Sequence, residues 1–93
     1  MTAPAVAYTL SPGIGWSVER TGLLVTGGEQ PRFLPYPDAA LWDLISRGYR
    51  YEQVVEMMCH ITSLAKRDSV RLIDRLLDEW LGLGLLSMER RHG

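Results

Sequence analysis

Along the chain, apolar positions first cluster in short runs broken by turn formers, then recur at helical spacing. Between Ser11 and Pro35 the runs are interrupted by Ser11-Pro12-Gly13, Thr21-Gly22 and Thr26-Gly27-Gly28-Glu29. This predicts three strands, at about Gly15–Glu19, Leu23–Thr26 and Gln30–Leu34, with Gly27-Gly28 supplying the positive backbone angles of a tight hairpin. Pro31 and Pro35 offer no backbone donor, so the third strand belongs at a sheet edge or is interrupted.

From Pro37-Asp38 onward the period changes. Leu41, Leu44 and Ile45 share one face beside Trp42, and Gly48 stops this first helix. A second helix, from Tyr51 to about Ile61, offers a broad apolar side of Val54, Val55, Met57, Met58 and Ile61, the methionines read as core filling. The third, from about Lys66 to Leu81, carries one stripe of Val70, Ile73, Leu77, Trp80 and Leu81 and a displaced second stripe of Leu72, Leu76 and Leu83. The second stripe is expected to be covered by the strands or to leave a groove open to a partner. Beyond Gly82 and Gly84, Leu83, Leu85, Leu86 and Met88 form a short apolar tail, expected either to pair briefly as a strand or to pack and fray. The fold class that follows is α+β: a winged-helix-like three-helix bundle with an N-terminal three-stranded antiparallel sheet over residues 8–88. Residues 1–7 and 89–93 are expected to be flexible ends.

The 93 residues suffice for one core, and 46% hydrophobic composition supports a folded unit. Ten basic against eleven acidic residues leave a formal charge of −1, which argues against general attraction to nucleic acid or anionic lipid. Within 66–81 the four basic and four acidic side chains cancel, so nucleic acid is an unfavoured partner for that helix. No apolar run approaches a membrane span, and residues 1–7 lack the basic run and apolar stretch of a signal peptide. The expected location is cytoplasmic.

The chemistry on offer is sparse. Cys59 is the single cysteine and His60 and His92 the only histidines. There is no CxxC, HExxH, phosphate loop or dinucleotide fingerprint. Asp74 and Asp78, four apart beside Arg71 and Arg75, read as a solvated helix surface. The expectation is a chain with no enzyme activity and no cofactor.

In sequence order, Tyr8-Thr9-Leu10-Ser11-Pro12, Gly22-Leu23-Leu24-Val25, Arg32-Phe33-Leu34, Ala39-Ala40-Leu41-Trp42-Asp43-Leu44-Ile45, Ser69 to Leu77 and Leu83-Gly84-Leu85-Leu86 resemble the family of the pyrroloquinoline quinone biosynthesis protein D, the recognition elements of ribosomally made, modified peptides. The resemblance spans about residues 8–86. It implies a three-stranded sheet on three helices and a non-catalytic peptide chaperone, monomeric or weakly dimeric. The leader region of a precursor peptide would add as a strand beside the third strand and lie against the third helix, for presentation to a modifying enzyme such as a radical S-adenosylmethionine enzyme. Carried to this chain, the peptide-binding positions are Gln30, Arg32, Phe33, Leu34, Leu72, Arg75, Leu76 and Glu79. The other readings open at this point are a winged-helix DNA-binding regulator and a structural docking subunit of an enzyme complex.

Overall fold

A computed structural model describes the backbone of residues 5–91 and the side chains of residues 7–88. The expected ends 1–4 and 92–93 lie outside the described residues. In chain order the elements are β1 (Ala5–Leu10), β2 (Gly15–Glu19), β3 (Gly22–Thr26), β4 (Arg32–Pro35), α1 (Asp38–Ser46), α2 (Tyr51–Thr62), α3 (Lys66–Gly82) and β5 (Leu86–Arg91). The architecture is α+β and winged-helix-like, with three helices packed against an antiparallel sheet in the order β2-β3-β4.

Alternation fixes which way each strand faces. Leu23 and Val25 of β3 and Leu34 of β4 are buried, and Leu23 stands opposite Leu34. Leu24 and Phe33, also paired, therefore face outward. The β3–β4 connection is longer than the tight hairpin expected from Gly27-Gly28. Pairing ends at Val25 and Arg32, and only Gly27 has a positive φ, 99°, where its backbone passes close to Gly13. At Gly22 a Cβ would run into the Leu34 carbonyl and the Phe33 ring, so β3 and β4 approach closely only because this residue has no side chain.

A second, two-stranded sheet pairs β5, the tail in its strand alternative, with β1, which was not expected. It pairs Ala5 with Arg91 through to Leu10 with Leu86, so regular structure extends past both expected boundaries, and the Tyr8–Leu10 stretch read as preceding the first strand is itself a strand. Tyr8 falls opposite Met88 and Leu10 opposite Leu86, and Tyr8, Leu10 and Leu86 all join the core.

The helices begin and end close to where periodicity places them. The Gln53 side chain accepts from the Arg50 N–H at the start of α2, and Ser63, at φ 60°, ends it in a left-handed cap. Leu41, Trp42, Leu44 and Ile45 of α1 and Val54, Val55 and Met58 of α2 are buried, while Ile61, expected on the apolar side of α2, is exposed. The larger correction concerns α3. Its buried face is Ser69, Ile73, Leu76, Leu77 and Trp80, and from Ile73 onward these stand at i, i+3, i+4 and i+7, the signature of a single core-facing stripe. Leu76, assigned from sequence to a partner-facing stripe, is 1% exposed and belongs to the core. Leu72 is half-buried at its margin. α2 is tied to α3 by the Tyr51 hydroxyl, which donates to Asp74 Oδ1 at 2.7 Å. The Tyr51 phenol is held well above its ordinary value by burial first and then by Asp74 as acceptor and anion. Tyr8 is raised in the same way, by burial and then by Asp74 and Asp78.

Three outcomes follow. Gly22→Ala should lower stability by about 2 kcal/mol or more, because a backbone carbonyl cannot step aside. Gly82→Ala, at a helix position with open space around it, should be neutral or stabilising by up to about 0.5 kcal/mol. Denaturant melts of the two variants give opposite signs. Leu76→Asp should cost about 4 kcal/mol or more, a large share of the about 5–15 kcal/mol a small domain holds, and show as loss of the cooperative melt in far-ultraviolet circular dichroism. For Tyr51 the folded state favours the protonated phenol, so its contribution is fully present below the unfolded value near 10 and is lost as pH rises through the elevated folded one. Stability measured in denaturant should therefore fall above about pH 10, and fall less steeply in Tyr51→Phe.

Candidate peptide-binding edge and cleft

β4 is an outer strand of its sheet, with β3 on one side and, among the described residues, no strand on the other. Between Pro31 and Pro35 only Arg32, Phe33 and Leu34 carry backbone N–H groups. The edge is therefore unpaired, but its ladder is short. Alternation splits its side chains. Leu34 turns into the core, Phe33 stands on the outer face 45% exposed, and Arg32 lies on the same side of the strand as Leu34.

Arg32 reaches α3. Its guanidinium donates to Glu79 Oε1 at 3.0 Å, and both side chains remain substantially exposed, so the contact contributes at most about 1 kcal/mol. At the start of α1, Asp38 lies near the same region of α3. Its carboxyl is raised above the ordinary value by burial, which outweighs the lowering by Arg75 and is assisted by Glu79. Two cations and two carboxylates thus alternate along the seam between β4, the start of α1 and the second half of α3.

The open space lies at one end of this seam. A cleft of about 490 Å³ separates the stretch from Gly28 to Phe33 from Gly82, Leu83 and Leu85. Leu83, 45% exposed, and Pro31 give it apolar walls, while the Phe33 ring lies on the outer face over Gly22. Glu29, Gln30 and Arg32 give it a polar rim. Leu85 is buried, and its N–H and C=O are taken up by the Trp80 carbonyl at 2.9 Å and the Ser11 N–H at 3.0 Å, so the cleft floor is fixed at the junction of α3 with β5.

The structure brings together Gln30, Arg32 and Phe33 at the cleft and joins Glu79 to it through Arg32. Arg75 and Leu72 lie farther back along α3, outside the lining. The Leu34 and Leu76 side chains belong to the core, which leaves Leu34 at the edge through its backbone alone and takes Leu76 out of the site. Leu83 lines the cleft but was not among the expected peptide-binding positions, although its membership of the displaced stripe marked it. Gly28, Glu29 and Leu85 carried no signal in the sequence, because they meet only when the β3–β4 loop folds back on the end of α3.

A small helix–sheet domain of this kind is consistent with a peptide- or DNA-binding module in general. No helix is long and apolar enough to cross a membrane among the described residues, nor is any group of three or more His, Cys, Asp or Glu side chains placed to hold a metal ion. Comparison of the chain with protein-family models, with curated proteins and with solved structures yields no match.

Proposed function

We propose that this chain is a non-catalytic peptide-binding module that takes the leader region of a ribosomally made precursor peptide and presents it to a modifying enzyme. The observation that carries the reading is the unpaired β4 edge opening onto a cleft against the end of α3. An extended peptide placed there pairs its backbone with β4 and sets an apolar side chain against Leu83, which is the division of labour of strand addition. Of the three N–H groups between Pro31 and Pro35 at most two point away from β3, so the backbone ladder is limited and side-chain burial in the cleft supplies a larger share of the affinity. Arg32 already has Glu79 as partner, so a peptide carboxylate would compete for it, and an acidic residue beside the apolar anchor fits this rim. The presentation step and the identity of the enzyme rest on the resemblance given above.

The test is calorimetric titration of this chain with leader segments of short reading frames adjacent to its gene. Leu83→Asp should weaken binding about 10- to 100-fold, the equivalent of about 1–3 kcal/mol of lost apolar contact. Leu64→Asp, equally exposed but before the opposite end of the 17-residue α3, should leave binding within about twofold. Both chains should melt like the parent. Peptide affinity should change modestly with salt, whereas a DNA complex would weaken steeply as counterions are released. A Leu83→Asp chain that binds as the parent does, or tight salt-sensitive DNA binding without peptide binding, overturns the reading.

A further inference from the structure

We propose that the free edge of β2 is a self-association surface, on which a second copy of this chain seats its own β2 antiparallel about Ser17. The three-stranded sheet has two outer strands, and they differ in kind. β4 is bracketed by Pro31 and Pro35, so its edge takes only a short strand. β2, Gly15-Trp16-Ser17-Val18-Glu19, contains no proline and no lysine, and four of its five side chains are exposed. Val18 is 80% and Trp16 40% exposed. Both stand on the sheet face that carries the core, since Trp16 is opposite Val25 and Val18 opposite Leu23. The helical layer reaches Trp16 only through the edge of the Trp42 ring and ends short of Val18, leaving Val18 and the open side of the Trp16 ring as an apolar overhang beside an unpaired backbone, the combination that invites another strand.

The strand is its own complement. A two-fold axis at Ser17 sets Trp16 against the second copy's Val18, twice, giving two aromatic–β-branched cross-strand pairs on one face. Glu19 then falls opposite the second copy's Gly15, and Arg20 one step beyond, opposite Ile14. No two like charges face each other, and the Glu19 carboxylates lie at opposite ends of the paired strands. Pairing of β2 with a different edge would be heterologous and run on into a filament, whereas the two-fold arrangement closes at two copies. The contact is small. Five residue pairs bury well under the about 800 Å² per partner typical of a stable complex. The dimer should accordingly be weak, with Kd of about 0.1–1 mM. This association is independent of the peptide-binding reading, because β4 and its cleft lie across the sheet.

Sedimentation equilibrium on the intact chain decides the matter. The average mass should rise from 10.5 kDa toward twice that value between about 10 μM and about 1 mM protein. Val18→Lys, at a residue already in solvent, should retain the parent melt and lower the association constant at least tenfold. In a Cys59→Ala background, Ser17→Cys should form a disulfide-linked dimer under mild oxidation, while Glu19→Cys, facing Gly15, should not. A mass that stays at 10.5 kDa throughout, association undiminished in Val18→Lys, or equal cross-linking of the two cysteine chains overturns the proposal.

Discussion

Trp42 is the residue through which the two layers of this domain meet. Its ring takes the Trp80 ring edge-on, with centroids 5.2 Å apart and planes at 81°, and from the sheet side Trp16 meets it at 6.4 Å and 73°. One chain of edge-to-face contacts thus runs from β2 through α1 to α3, linking elements separated by 64 residues of sequence. Edge-to-face geometry is directional, so each pair adds about 0.5–1.5 kcal/mol and also fixes an angle. With Trp42 and Trp80 both buried, α1 cannot rotate relative to α3 without breaking it. The place where β4 ends and α1 begins, and hence the position of the seam, follows from that lock.

The core gives the seam its shape by withdrawal. Leu34 and Leu76 both turn inward, so the groove between β4 and α3 is bordered by Arg32, Asp38, Arg75 and Glu79 rather than by leucines. Apolar lining returns only where the helix has stopped. At Gly84, φ 74°, the chain leaves helical geometry, Leu83 is left half in solvent, and Leu85 is drawn into the core with its backbone hydrogen-bonded to Trp80 and Ser11. An apolar cleft at the end of a charged seam is therefore a consequence of where α3 terminates.

The sequence made the helices legible because each carries its own periodic signal and a local stop, as at Gly48 and Gly84. β2 was legible for the same reason, since its turn formers are adjacent in sequence. β1 and β5 were not: their partners are about eighty residues apart, and no local pattern announces such a pairing. Leu76 was misplaced because a helix with leucines at 72, 76, 77, 81 and 83 permits more than one choice of stripe, and the alignment of Ile73, Leu76, Leu77 and Trp80 becomes decisive only when Trp80 is known to meet Trp42. Alternation sends the Leu34 side chain into the core, so only its backbone stays at the β4 edge. Arg32 and Phe33 survive in the candidate site, whereas the loop residues that complete it could be found only in three dimensions.

The charges of α3 show how the remaining elements are fastened to it. Its first half carries Lys66, Arg67 and Arg71 against Asp68, and its second half Asp74, Asp78 and Glu79 against Arg75. Positive charge near a helix start and negative charge near its end is the reverse of what the helix dipole favours, at about 0.3–1 kcal/mol per well-placed charge. The acidic half is nevertheless occupied: Asp74 accepts from Tyr51 of α2, and Glu79 accepts from Arg32 of β4. Carboxylates that weaken α3 as an isolated helix thus serve as its attachment points to the helix on one side and the strand on the other. The stability of α3 accordingly resides in its buried Ile73–Trp80 face, and its polar face is free to set the spacing between α3 and β4.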